Sequence, residues 1–210
     1  MKARRRRPSA TEILGRLDRE VLDRADRVVG VDEVGRGALA GPVVVGAVGF
    51  DRIPIEPRVR DSKRLSAARR LEIAGWIRTH CVGWVVVEVW RDVIDRINIL
   101  EATRGAMRAA VRALAGPRTE AVVDHVELGD LGLPVHSVTG ADDLYFSVAA
   151  ASILAKVHRD HLMQELAAED DRWKWSRNVG YGTQEHRLAI ARFGRSYLHR
   201  RSFRVVRVLP

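Results

Sequence analysis

Residues 28–48 read VVGVDEVGRGALAGPVVVGAV, two valine-rich runs separated by a segment with glycine at 35, 37 and 41. Short apolar runs rich in β-branched residues and bounded by Gly and Pro form buried strands. The glycines resemble the loop that wraps a pyrophosphate, but such a loop must open a helix, whose N-terminus supplies the dipole and free N–H groups. Here Pro42 and three valines follow, and they continue as a strand. Residues 35–41 therefore join two strands, where glycine lets backbone approach a ligand closely.

The first strand delivers Asp32 to the end of an apolar run, where a buried, unpaired carboxylate costs roughly 2–7 kcal/mol. It needs a cation or a set of donors. Glu33 is adjacent, and successive side chains on a strand point to opposite faces, so both can serve one site only if the pleat ends at Asp32. For an isolated Asp-Glu pair, one carboxylate bonded to backbone and the other in solvent is an equal alternative. Asp124 closes another apolar strand, AVVD, and Asp142 stands at the start of a helix. Carboxylates brought together repel and raise one another's pKa, which a divalent cation relieves. Oxygen-only ligands favour Mg²⁺ or Mn²⁺, and two such ions can activate a water and stabilise the leaving oxygen of a phosphodiester.

Along the chain, Ser9 or Thr11 caps a helix to about residue 24, with Ile13, Leu14, Leu17, Val21 and Leu22 at helical spacing. Strands follow over 27–32, 42–50 and 81–90, with a proline-marked loop over 51–57 and a helix over 65–80 capped by Ser66. A long helix is expected over 92–114, ended by Gly116-Pro117, then short strands over 120–124 and 134–138. A helix of about seven turns runs from near Asp142 to Glu169, and another covers about 183–193. The pattern divides into a basic arm and helix (1–27) and one domain (28–210), with a core over about 28–169 and a C-terminal helical extension. It predicts an α/β fold, a mixed sheet flanked by helices.

The 36 Lys and Arg residues outnumber 27 Asp and Glu, a net charge of +9 that suits a polyanionic partner, nucleic acid first. The arm MKARRRRPSA is either a phosphate-binding tail or a passive one. It has no apolar region after it and does not read as a secretory signal. No apolar run reaches the ~20 residues of a membrane span. Cys81 is the one cysteine, so there is no intrachain disulfide and no cysteine zinc cluster, as expected in the cytoplasm. His158 and His161 in HRDH lack further zinc-spaced ligands and read as helix-surface residues.

DEVGRG (32–37), DSKRLS (61–66), INIL (97–100), AASILAKVHRD (150–160), GYGT (180–183) and HRRSF (199–203) together resemble bacterial ribonuclease HII, in order and over nearly the whole chain. The resemblance implies an RNase H-like five-stranded sheet with a C-terminal helical extension. It also implies metal-dependent hydrolysis of RNA in RNA–DNA hybrids, and cleavage 5′ of a ribonucleotide embedded in duplex DNA, by a monomer. It assigns the metal-binding acids to Asp32, Glu33, Asp124 and Asp142, with Asp143 a rival to Asp142. It assigns substrate contacts to Gly35, Arg36, Gly37, Ser62, Lys63 and Tyr181, and to the helical stripe Ser152, Lys156 and Arg159, which is expected to meet phosphates. Two positions depart from the family pattern: His125 replaces a glycine after the third acid, and Val179 replaces a lysine before Gly-Tyr. Other readings are a resolvase-type nuclease of the same fold and a binding module without catalysis.

Overall fold

The computed structural model describes residues 14–54, 56–59 and 66–205. The arginine-rich arm, with the expected caps Ser9 and Thr11, lies outside that range, as do Ser62 and Lys63.

The two apolar runs pair antiparallel as β1 (Arg27–Val34) and β2 (Val43–Phe50), from Val28 opposite Phe50 to Val34 opposite Val44. β3 (Gly83–Val89) pairs antiparallel with β2, and β4 (Thr119–Asp124) and β5 (Val135–Val138) continue parallel beyond β1. The order β3-β2-β1-β4-β5 is the expected mixed sheet of five strands. Every residue of β2 is buried, which explains its apolar run without alternation.

The described helices are α1 (Arg16–Leu22), α2 (Ala67–His80), α3 (Arg91–Ile97), α4 (Ile99–Leu114), α5 (Ala141–Leu144), α6 (Phe146–Glu169), α7 (Trp175–Asn178) and α8 (Gln184–Phe193). Ser66 caps α2 by accepting from the Arg69 amide, as expected. None of the described helices is long and apolar enough to cross a membrane.

The helix expected over 92–114 is two helices. Asn98 breaks it at φ 68°, and its side chain accepts from the Leu100 and Glu101 amides at 2.9 and 3.1 Å to start α4. Asparagine is a strong cap, and the two amide bonds hold it in that uncommon conformation. The long helix expected from Asp142 is also divided, because Tyr145 is extended between α5 and α6.

Strand alternation sorts the core. Val28 of β1 packs with Val148, Ala151 and Leu154 of α6, whereas Val29 and Val31 pack with Met107, Ala110 and Val111 of α4 on the other face. At Gly30 an added Cβ would sit 2.1 Å from the Ser147 carbonyl carbon, and at Gly46 it would sit 2.4 Å from the Ala151 oxygen. Only glycine allows the α6 backbone to rest directly on the sheet.

Tyr145 offers α6 no side-chain cap. Asp18 of α1 supplies one from 128 residues away: buried beneath the helix start, its carboxylate accepts from the Phe146 amide at 2.6 Å and the Ser147 amide at 3.1 Å. Burial pushes the Asp18 pKa up. Leu14, Val21 and Ala25 beside it belong to the same core cluster as Val28, Phe50 and Phe146.

Candidate active site

The parallel register of β1 and β4 pairs Val31 with Val123, so the next residues, Asp32 and Asp124, stand side by side where the strands end. Adjacent strands lie about 4.8 Å apart. By alternation both face α6, whose Ser152 hydrogen-bonds Asp32. One Asp32 oxygen accepts from the Glu33 amide at 2.8 Å, and one Asp124 oxygen accepts from the Ala141 amide at 2.8 Å. The second bond fixes α5 against β4 and brings its next residue, half-buried Asp142, to the edge of the site, while Asp143 is exposed.

The pleat does not end at Asp32. Glu33 and Val34 remain paired with Val45 and Val44, because the β2 partner extends that far. A regular pleat turns Glu33 away from Asp32, but at the strand end its carboxylate stays within electrostatic reach of both Asp32 and Asp124. One of its oxygens lies 3.5 Å from Arg36, and the other, Oε2, is buried with no hydrogen-bond partner among the described residues.

Burial, with the charges of Glu33 and Asp124, raises the Asp32 pKa to about 7 against hydrogen bonds from Ser152 and the Glu33 amide. Burial likewise raises Glu33, opposed by Arg36. A desolvated cluster of oxygen donors, one of them orphaned, fits a hard divalent cation. Among the described residues, no three His, Cys, Asp or Glu side chains stand in ligating geometry around one point.

If Asp32 ligates a metal ion, the ion must displace its proton below about pH 7. The half-saturating Mn²⁺ concentration, measured by calorimetry, should therefore rise roughly tenfold for each pH unit below 7 and level off above it. A flat profile from pH 5.5 to 8 would rule out Asp32 as a ligand titrating in this range.

The loop over 35–41 is held from beneath by two buried arginines. Arg159, 0% exposed, donates to the carbonyls of Pro42 at 3.0 Å, Ala40 at 3.2 Å and Val179 at 2.8 Å. Arg200, 1% exposed, donates to Gly41 at 3.0 Å and Arg36 at 2.9 Å. Burial and the neighbouring Arg159 lower the Arg200 pKa to about 9.

The expected phosphate-facing stripe on α6 is corrected accordingly. Ser152 turns to Asp32 and Arg159 turns beneath the loop, because this helix face packs on the sheet. Lys156 reaches the surface, paired with Asp160 at 2.6 Å. His158 and His161 are surface partners of Glu88 and Glu165.

Tyr181 reaches the same loop. Its hydroxyl accepts from the Gly35 amide at 3.1 Å, and the Arg159 guanidinium lies 5.4 Å from its ring centre. At Gly35, φ is 84° and an added Cβ would meet the Arg159 side chain at 2.1 Å, so glycine is required there. Both departures from the family pattern occupy left-handed backbone, His125 at φ 57° and Val179 at φ 43°. Glycine adopts that conformation freely; a β-branched valine is strained in it.

Asp18, Arg200 and the buried pair His186 and His199 were not identified as working residues from sequence. HRRSF contains two of them, but nothing local shows that their partners lie in the 35–41 loop and at Tyr181.

The ribonuclease HII family model matches residues 29–206. A ribonuclease HII of Chlorobium luteolum is 45% identical over 185 residues, covering 85% of this chain and 89% of that protein. One from Rhodospirillum rubrum is 48% identical over 193 residues, 89% of this chain and 88% of the relative. The crystal structure of ribonuclease H2 from Pyrococcus horikoshii superposes with a TM-score of 0.72 at 27% identity, covering 85% of this chain and 94% of that one. With the acids, the glycine loop and the sheet in this arrangement, the chain belongs to the ribonuclease HII family and is a divalent-metal-dependent ribonuclease H that acts on RNA–DNA hybrids.

Proposed function

We propose that the enzyme cuts on the 5′ side of a single ribonucleotide embedded in duplex DNA, leaving 3′-hydroxyl and 5′-phosphate ends. In this reading it works as a cytoplasmic monomer with two Mg²⁺ or Mn²⁺ ions held by Asp32, Glu33, Asp124 and Asp142. When bound, such ions activate the attacking water and stabilise the departing 3′ oxygen.

The chain's own residues supply the rest. Arg159 and Arg200 draw the carbonyls of Arg36, Ala40, Gly41 and Pro42 inward. The amides of Gly35, Ala38, Leu39, Ala40 and Gly41 are taken by Tyr181, Gly35, Gly180 and Leu198. Arg36 and Gly37 remain as the loop amides without an acceptor among the described residues, and nothing lies within 4 Å of a Cβ added at Gly37. Two outward N–H groups suit a ribose 2′-OH, the group that distinguishes RNA from DNA. Lys156, one-third exposed, meets a phosphate, and Ser62 and Lys63 join it as substrate contacts.

The observation that carries the reading is the bond from the Gly35 amide to the Tyr181 hydroxyl. It ties the tyrosine to the 2′-OH-reading loop. Because that oxygen accepts from Gly35, its own O–H points onward as a donor. A ring at this point can require that the sugar after the ribonucleotide lack a 2′-OH.

Tyr181→Ala should lower kcat/KM at a single ribonucleotide by roughly a hundredfold, and on a continuous hybrid by less than about tenfold. End-labelled duplexes resolved on gels, with Mg²⁺ and with Mn²⁺, measure both. Cleavage 3′ of the ribonucleotide, or an equal loss on both substrates, refutes the assignment.

A further inference from the structure

His186 of α8 and His199 of the C-terminal segment are 0% and 1% exposed, and their Nε2 atoms face each other at 3.1 Å. Their outer nitrogens settle which ring carries the intervening proton. The Ser196 amide, 2.8 Å from His199 Nδ1, can only donate, so that nitrogen is bare and the neutral ring is protonated at Nε2. The Tyr181 carbonyl, 2.9 Å from His186 Nδ1, can only accept, so that nitrogen carries the proton and His186 Nε2 accepts. One proton lies between the rings, and the bonds run in one direction from Ser196 through His199 and His186 to the Tyr181 carbonyl.

The surroundings hold the pair in this form. Trp173 lies edge-on to His199 at 5.6 Å, Trp175 tilts over it at 6.1 Å, and Arg195 is the neighbouring cation. A second proton would set two N–H groups against each other in a dry, cation-flanked site. Burial, His186 and Arg195 lower the His199 pKa to about 4, and burial lowers that of His186.

The chain of bonds ends at a residue that matters. The Tyr181 carbonyl also accepts from the Thr183 amide at 2.8 Å, and the Tyr181 amide donates to Asn178 at 2.9 Å. His199 itself bridges to Ala40 in the glycine loop, and its neighbour Arg200 holds the Arg36 and Gly41 carbonyls. Tyr181 and the loop it touches are thus referenced to the same short segment.

We propose that His186 and His199 are positioning residues: their one-directional hydrogen-bond chain fixes Tyr181 relative to the 35–41 loop and so sets how sharply a lone ribonucleotide is distinguished from a continuous hybrid. The proposal rests on Tyr181 reading the junction, as assigned above.

The test compares His186→Leu, which cannot donate to Tyr181, with His186→Asn, whose amide nitrogen takes the place of Nδ1. The kcat/KM ratio between a single-ribonucleotide duplex and a continuous hybrid should fall about tenfold in the leucine variant and only about threefold in the asparagine variant, which keeps the bond to Tyr181 but loses the acceptor for His199 Nε2. Thermal melts identify a variant that fails to fold. In that event, long-range ¹⁵N correlation of the wild-type imidazoles decides, with the proton expected on Nδ1 of His186 and Nε2 of His199 at pH 7. The opposite tautomers, or a leucine variant that loses both substrates in parallel or neither, would overturn the proposal while leaving Tyr181 in its role. An unchanged ratio in Tyr181→Ala would remove the assignment and the proposal together.

Discussion

Asp32→Asn should abolish turnover, by roughly a thousandfold or more, and at the same time stabilise the metal-free protein. Both effects have one cause. Asp32 is 7% exposed and its pKa is raised to about 7, chiefly by burial. An acid whose folded pKa lies above its unfolded value is a liability when charged. The cost is absent below the unfolded value of 3.8, grows through the acid range, and is complete above about pH 7. At pH 8 the neutral amide avoids it, while its carbonyl can still accept from the Glu33 amide. A gain on the order of 2 kcal/mol is expected, or about 5 °C in Tm for a chain of this size. Saturating Mg²⁺ should narrow the difference, because the ion stabilises the wild type alone. Calorimetric melts at pH 8 with and without Mg²⁺, alongside hybrid cleavage, measure both parts. Turnover within tenfold of wild type would remove Asp32 from the catalytic set, and a lower metal-free Tm would contradict the electrostatic account.

Asp18→Ala should cost roughly 3 kcal/mol and lower Tm by about 6–12 °C. The substitution leaves the Phe146 and Ser147 amides buried with no acceptor at the start of α6. Asp18→Asn retains one carbonyl oxygen and should recover about half of the loss. Because α6 carries Ser152 to Asp32 and Arg159 to the glycine loop, kcat should also fall at temperatures below the melt. Urea unfolding at pH 7 gives the stability change, and an alanine variant within about 0.5 kcal/mol of wild type, the range of ordinary surface substitutions, would show that α6 does not need this cap.

Where structure follows from neighbouring residues, it was legible in advance. The valine runs, with Gly and Pro between them, predict β1, β2 and their connecting loop, and Ser66 and Thr183 mark the starts of α2 and α8, where each accepts from the third amide along. Asp32 and Asp124 were visible as carboxylates closing apolar strands. The break at Asn98 was missed because helical spacing of the apolar residues persists across it, while the asparagine side chain makes a new start more favourable than continuing. Arg159 shows the limit of periodicity: its position on a stripe with Ser152 is correct, but spacing alone does not say whether a stripe meets water or protein.

The amino-acid sequence by itself determined the strands and most helices, the carboxylates, the glycine loop and the family, because these rest on residue type and spacing along a few turns or pleats. Tertiary structure decided which of those residues meet. Asp32 stands beside Asp124 only through the parallel register of β1 and β4, and Glu33 stays in the ladder because β2 keeps pairing beyond Asp32. Asp18 caps a helix 128 residues away, and Arg200 reaches across 164 residues to hold the Arg36 carbonyl. Such contacts form only once α6 has settled on glycines 30 and 46 and enclosed polar groups that must then find partners, and no local pattern encodes which partner is within reach.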